Sequence, residues 1–293
     1  MSLSVNTNNG AMAALQSLTA TQKALSTTSS RITTGLNVAS TKDDSAKYTT
    51  AQKLRGDLGG LSAVTSSLSR AKSTVDVAIT GAEQVSDLVN QMKAKATEAS
   101  DKGIDVKSRT AIGADLVALK KQVTSIISSS EFNGTNLLKT DAASTGKVSA
   151  LLSTDTTKTL DVGNIDLQSG AETAFGTSTG VPATDDTLLD LSDTTPGAGA
   201  TTAATLKGAL DTYSNSIATK LSTLGSASRQ IEGQTSFVSK LSDAIDSGIG
   251  NLVDADLAKE SAKLQALQVK QQLGVQALSI ANQAPQTITS LFR

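Results

Sequence analysis

Along most of this 293-residue chain, apolar residues recur at alternating spacings of three and four. That spacing puts one stripe on one face of an α-helix. The first stripe runs through Ala11, Leu15, Leu18, Gln22, Leu25, Ser29, Ile32 and Leu36, with Gln22 and Ser29 as polar interruptions, and Gly35 marks a break. Ser40 with Asp43, or Thr41 with Asp44, has the spacing of a capping box, so a new helix is predicted to start there. Gly56, Gly59 and Gly60 are expected to weaken it. The strongest stripe follows: Leu61, Val64, Leu68, Ala71, Val75, Ala78, Ala82, Val85, Val89, Met92, Ala96 and Ala99. A helix over 62–100 would be roughly 58 Å long at 1.5 Å per residue. Asp101-Lys102-Gly103 predicts a turn into a helix from about 105, with Ile112, Leu116, Leu119, Val123 and Ile126 on one face. So short a connection predicts an antiparallel hairpin, closed off by the turn signal Asn133-Gly134 after Phe132.

From 139 to 205 the helical period is lost, and Thr, Ser, Gly and Asp dominate. Pieces such as Lys158-Thr159-Leu160-Asp161-Val162 alternate as strands do, which suggests a small, loop-rich insertion. Periodicity resumes with Leu206, Leu210, Tyr213, Ile217, Leu221, Leu224, Ser228, Ile231, Thr235, Val238, Ser242, Ile245 and Ile249. Gly248 and Gly250 read as a joint, and a last arm carries Val253, Leu257, Glu260, Leu264, Leu267, Gln271, Gly274, Leu278 and Ala281. Pro285 is expected to end or kink that arm. The expected fold is mainly α: long antiparallel helices from both chain ends, forming a coiled coil and bundle, with a small loop- and β-containing insertion.

Composition narrows the chemistry. Four Phe, two Tyr and no Trp argue against a thick core and suit helix-on-helix packing through Ala, Leu, Val and Ile. With no His and no Cys, the commonest general base and the usual zinc and thiolate ligands are missing, so no catalytic, metal or cofactor site is expected. A net charge of −1 supplies no field to attract nucleic acid. No apolar run approaches the ~20 residues of a bilayer span, so membrane insertion is not expected. The opening residues lack the basic and apolar regions of a general secretory signal. The paired carboxylates Asp43-Asp44 and Asp254 with Asp256 read as helix-start caps or lattice salt bridges rather than acid–base machinery.

Helices with such leaky stripes gain little from propensity alone and depend on burying one face. The terminal arms are therefore expected either to order on association or to dock permanently on the central bundle. At this point the residues carry a resemblance. Asn6-Thr7-Asn8-Asn9-Gly10-Ala11-Met12-Ala13-Ala14-Leu15, Arg31-Ile32-Thr33-Thr34-Gly35-Leu36-Asn37, and Ser40-Thr41-Lys42-Asp43-Asp44-Ser45-Ala46 resemble the first part of a bacterial flagellin. Phe132-Asn133-Gly134 resembles the family's turn after its first helical hairpin. Asn251-Leu252-Val253-Asp254-Ala255-Asp256-Leu257-Ala258-Lys259-Glu260-Ser261, Gln271-Gln272-Leu273-Gly274, Ala281-Asn282-Gln283 and Ser290-Leu291-Phe292-Arg293 resemble its last helix. The likeness covers roughly 1–138 and 206–293 and is nearest to alphaproteobacterial flagellins.

The resemblance implies a structural filament subunit, with terminal arms 1–41 and 251–293 in the inner core and disordered in the monomer. Residues 42–138 and 206–250 would form a helical shell, and 139–205 a variable insertion facing solvent, with Ser and Thr as acceptors for O-linked glycans. Leu15, Leu18, Leu25, Ile32, Leu36, Val253, Leu257, Leu264, Leu267, Leu278, Leu291 and Phe292 are the polymerisation candidates. Arg31, Lys42, Asp43, Asp254 and Asp256 are candidates for polar contacts between subunits. Implied partners are further copies of the chain, a flagellar export chaperone, a filament cap protein and a hook–filament junction protein. The chaperone is expected on Leu257, Leu264, Leu267 and Leu278. Export would run unfolded through the flagellar type III apparatus. A hook–filament junction protein is the alternative reading, and an enzyme or adhesin on the insertion a remoter one. Within Asp87–Ala96, Leu88 and Gln91 stand where many flagellins carry the Arg and Glu read by the vertebrate innate flagellin receptor, so weak activation is expected.

Overall fold

The computed structural model describes residues 8–139, 146–175, 189–193, 195 and 197–291, with side chains to 283 in the last segment. It is mainly helical: α1 (Asn9–Thr34), α2 (Ser45–Ala99), α3 (Val106–Ser129), α4 (Leu167–Phe175), α5 (Ala198–Val253) and α6 (Leu257–Leu291). Two small antiparallel sheets complete it, β1 (Glu131–Phe132) with β2 (Thr135–Asn136) and β3 (Val148–Leu151) with β4 (Thr159–Val162). Contacts divide the chain into two units, Met1–Leu58 with Asp243–Arg293, and Gly59–Ser242.

In the first unit, α1 and α6 lie antiparallel. Arg31 Nη1 reaches Glu260 Oε1 at 3.3 Å near one end, and Asn8 Nδ2 donates to Ala281 O at 2.7 Å near the other. Asn8 also accepts from Ala11 N and so caps the start of α1. Gly35 ends α1 in the left-handed region at φ 72, donating to Arg31 O, a conformation a side chain would resist. The connection out of α1 is then stitched to the connection between α5 and α6. Asn37 N and Val38 N donate to Val253 O, and Ala255 N donates to Gly35 O. Beneath this joint Val38, Ala51, Ile249 and Val253 form a small core, flanked by Leu36, Tyr48, Leu54, Leu58, Ile245 and Leu252.

The second unit is built on one seam. All twelve α2 positions from Leu61 to Ala99 that the spacing selected are buried, at 4% exposure or less. Lys95 pairs with Asp115 at 2.9 Å, and Ser130 lies against Gly81, so α2 and α3 form the expected antiparallel hairpin. Helix α5 also runs antiparallel to α2. Lys72 meets Glu232 and Lys93 meets Asp211, both at 2.7 Å, and the 21-residue step from Lys72 to Lys93 matches the 21-residue step from Glu232 back to Asp211. Twenty-one residues are three heptads, so the register is that of a coiled-coil seam. The β1–β2 connection is Asn133-Gly134 with φ of 50 and 78, the twist a two-residue hairpin needs.

Several expectations change. The glycines at 56, 59 and 60 do not interrupt α2, which is 55 residues long, or about 80 Å at 1.5 Å per residue. Each glycine costs about 1 kcal/mol relative to Ala, but Ala51, Leu54, Leu58 and Leu61 carry the apolar stripe across them. Gly248 and Gly250 lie inside α5; the break comes at 254–256, where the backbone pairs with the α1 side of the joint. Helix α6 continues through Pro285 to Leu291 instead of ending there. Helix α5 starts at Ala198, not near 206, and residues 167–175 are helical. Ala200 and Ala203 extend the buried face of α5, whereas Phe175 of α4 packs edge-on against Tyr213, ring centroids 5.8 Å apart. That long-range contact has no trace in local periodicity. On α3 the buried face takes Lys120 and Ile127, with Leu119 and Ile126 half-buried. Pro182, Pro196 and much of the Ser/Thr-rich glycan-acceptor segment lie outside the described residues.

Candidate functional site: the paired terminal helices

The α1–α6 seam is thin. From α1 it uses Ala11, Ala14, Leu18, Thr21, Leu25, Thr28 and Ile32, and from α6 Glu260, Leu264, Leu267, Gln271, Gly274, Leu278 and Ala281. Most are only half-buried, and Thr21, Thr28 and Glu260 alone are fully so among these described residues. Small side chains set the closeness of approach: a Cβ on Gly274 would stand 3.3 Å from Leu18 Cδ1. This corrects the stripe drawn from sequence. Leu15, Gln22 and Ser29 are exposed, and Ala14, Thr21 and Thr28, one residue earlier, take their places. Bulk favours Leu15 for the seam, but a close helix pair places small residues at the contact.

One ionic contact lies on the seam. Arg31 and Glu260 retain 26% and 10% side-chain exposure, and Lys263 stands 3.7 Å from Glu260 Oε2. Burial pushes the Glu260 carboxyl up, yet the Thr28 hydroxyl, Lys263 and Arg31 outweigh it and hold the carboxyl below its ordinary value. The Thr28 hydroxyl favours the carboxylate electrostatically without completing a well-aligned hydrogen bond, and Thr28 Oγ1 and Glu260 Oε2 are both buried in that state. Glu260 also sits in the first turn of α6, where a negative charge suits the helix dipole.

The remaining candidates fall into three groups. Leu18, Leu25, Ile32, Leu264, Leu267 and Leu278 line the seam, and Leu36 and Val253 belong to the core under the joint. Leu15 and Leu257 point away from it, 54% and 52% exposed. The Leu291 side chain and Phe292 lie outside the described residues. Among the polar candidates, Arg31 is spent within the chain on Glu260. Asp43 accepts from Ala39 N, Ser40 N and Ser40 Oγ, and the Ser40 bonds hold its carboxyl below the usual range. The cap of α2 is Asp44, which accepts from Lys47 N. Asp256 caps α6 by accepting from Ala258 N and Lys259 N. Asp254 bridges to Leu36 through the backbone. Lys42 is exposed, and its side chain has no partner among the described residues.

Two features escaped sequence reading. Arg109 is buried, and its guanidinium donates to Ala99 O, Asp101 O and Ile104 O, closing the C-terminus of α2. Nothing local distinguishes it from a solvated arginine. The second is a further apolar stripe on α6, Ala262, Ala266, Val269, Leu273 and Ile280, on the face away from α1. Its spacing was legible but was masked by the first stripe. Val269, Leu273 and Ile280 are 55%, 58% and 69% exposed. With Met12, Leu15, Leu257 and Val275, seven of the ten large apolar side chains found exposed among the described residues lie on α1 and α6.

A helical protein whose first and last helices pair thinly, and still present apolar faces outward, belongs to the class of self-assembling structural subunits. Family models agree on which: the bacterial flagellin N-terminal helical region matches residues 5–143, and the bacterial flagellin C-terminal helical region matches 208–292. The chain is 42% identical over 296 residues to flagellin FljM of Caulobacter vibrioides, covering 99% of this chain and 98% of that one. It is 35% identical over 297 residues to a flagellin of Brucella melitensis, and 34% over 322 residues to flagellin C of Rhizobium meliloti, with 99% of each chain covered in both cases. The chain belongs to the bacterial flagellin family. It is therefore a structural subunit that polymerises into the extracellular flagellar filament, and not an enzyme. No helix among the described residues is long and apolar enough to cross a membrane. The junction-protein alternative is not favoured.

Proposed function

We propose that α1 and α6 are the polymerisation arms of this subunit. They are unfolded while the chain passes through the flagellar type III apparatus, and they pair at the filament tip once neighbouring subunits cover their outer faces. The observation that carries this is the concentration of exposed large apolar side chains on α1 and α6. A half-buried seam gains little free energy by itself, because hydrophobic stabilisation scales with the apolar area removed from water. Leu15 and Leu257, exposed in one copy, become buried by the next, and Lys42 and Asp254 are the exposed polar groups left to meet a neighbour.

On this reading 1–41 with 251–293 form the inner core, 42–138 with 206–250 the shell, and 139–205 the solvent-facing insertion. A filament cap protein assists folding at the tip, and a hook–filament junction protein starts the array. The export chaperone takes α6 as an amphipathic helix laid in a groove, on Leu257, Leu264, Leu267 and Leu278. The vertebrate innate flagellin receptor is activated weakly, because Leu88 is buried and uncharged and Gln91, though exposed, carries no carboxylate.

The test is seeded assembly of the purified chain, followed by sedimentation and imaging. The full chain is expected to elongate seeds, and a chain lacking 257–293 is expected not to, while keeping the helical signal of Gly59–Ser242. Normal elongation by the shortened chain would remove α6 from the polymerisation machinery.

A further inference from the structure

An open filament needs two different surfaces on each subunit. A patch that pairs with itself closes into a dimer, whereas a heterologous contact repeats without end. The terminal unit offers two such surfaces. One is the outer stripe of α6: Val269 follows Glu260 by nine residues, two and a half helical turns, and so faces away from the seam. Leu273 and Ile280 continue it, and the exposed Ala262 and Ala266 begin it with little bulk. The other is on α1, where Met12 and Leu15 are 65% and 54% exposed. They line a shallow groove with Ala13, Gln16, Ala20 and Lys23.

We propose that the outer stripe of α6 in one subunit seats on the Met12–Leu15 face of α1 in a second copy of this chain. The inference rests on the reading of α1 and α6 as polymerisation arms and adds which face meets which. The two faces fit in character. The α6 stripe is apolar except at Gln276, which takes the step between Leu273 and Ile280, with small residues at one end and large ones at the other. The α1 face sets two large flexible side chains beside Ala13 and Ala20. A copy of this chain is the occupant because the family polymerises with itself, and because only distinct faces give an unclosed array. Two α6 stripes facing each other would close as a pair and leave Met12 and Leu15 in water.

The chain has no cysteine, so disulfide mapping is free of background. Leu15→Cys and Leu273→Cys are made separately, mixed in equal amounts, assembled on seeds and treated with a mild oxidant. A linked dimer is expected in the mixed filaments at tenfold or more the level in filaments of either variant alone, and absent from unassembled protein. Met12→Cys with Val269→Cys repeats the experiment where the first pair impairs assembly. Filaments that form normally but link only Leu273→Cys to itself, or link neither pair, would overturn the proposed pairing and leave the polymerisation reading standing. Failure of the unsubstituted chain to elongate seeds would instead overturn both.

Discussion

The two units use the same heptad spacing to opposite ends. In Gly59–Ser242 the α2 stripe from Leu61 to Ala99 is Leu, Val, Met and Ala without a polar interruption, and every member of it is buried. In the terminal unit the stripe is interrupted by Thr21, Thr28, Glu260, Gln271 and Gly274, most of its apolar members are half-exposed, and a second, largely apolar face on α6 has no cover among the described residues. A helix with one continuous apolar face can be satisfied by its own chain. A helix with two cannot, and this difference separates a self-sufficient bundle from an assembly surface.

The sharpest way to break the comparison is to remove matched leucines. Leu206 is fully buried, and Leu206→Ala should cost about 2–5 kcal/mol in the denaturant unfolding of the second unit. Leu18 lies half-buried on the thin seam, so Leu18→Ala should leave that transition unchanged and raise instead the concentration needed for assembly. Equal effects of the two on monomer unfolding would erase the distinction.

Next comes Arg109→Met, which keeps most of the stem but strips donors from three carbonyls, one at the end of α2 and two in the connection after it. A loss of about 3 kcal/mol is expected in the same unfolding experiment. A loss no greater than that of an exposed arginine such as Arg55 would show that water serves those carbonyls equally well.

A smaller effect concerns the seam's ion pair. The folded-state carboxyl of Glu260 is held below its ordinary value, so its contribution is present above the unfolded-state value and is lost as pH falls through the folded one. Arg31→Ala removes one of the groups opposing desolvation. Filaments of that variant should therefore dissociate at a higher pH than the parent, read by turbidity during acid titration. Dissociation at an unchanged pH would mean Lys263 and Thr28 suffice.

The smallest effect is expected at Asp211, held at about 2 first by hydrogen bonding to Lys207 and then by Lys93. An unfolded chain binds this proton at about 3.8, so the pair's contribution is complete above that value and fades between about 4 and 2. Asp211→Asn should flatten the acid limb of helix content in that window alone. Because the pair is exposed, its effect at neutral pH should be slight.

Much of this was legible in residue order. The α2 stripe, the break at Gly35, the turn at Asn133-Gly134 and the antiparallel α2–α3 pair follow from spacing and turn chemistry, because each is decided within a few residues of chain. The same spacing at both termini, together with the motifs flanking it, was enough to place the chain among the flagellins.

Tertiary structure alone decided three matters. It chose Ala14, Thr21 and Thr28 over Leu15, Gln22 and Ser29 for the seam, since at 3.6 residues per turn both sets lie near one face and only the partner's closeness favours the smaller. It turned the Arg109 side chain inward onto carbonyls five to ten residues back and set α4 against Tyr213, neither of which apolar spacing encodes. And it showed which apolar stripe of α6 is used within the chain and which is left over. Periodicity counts faces, but a face is spent only when another surface removes it from water.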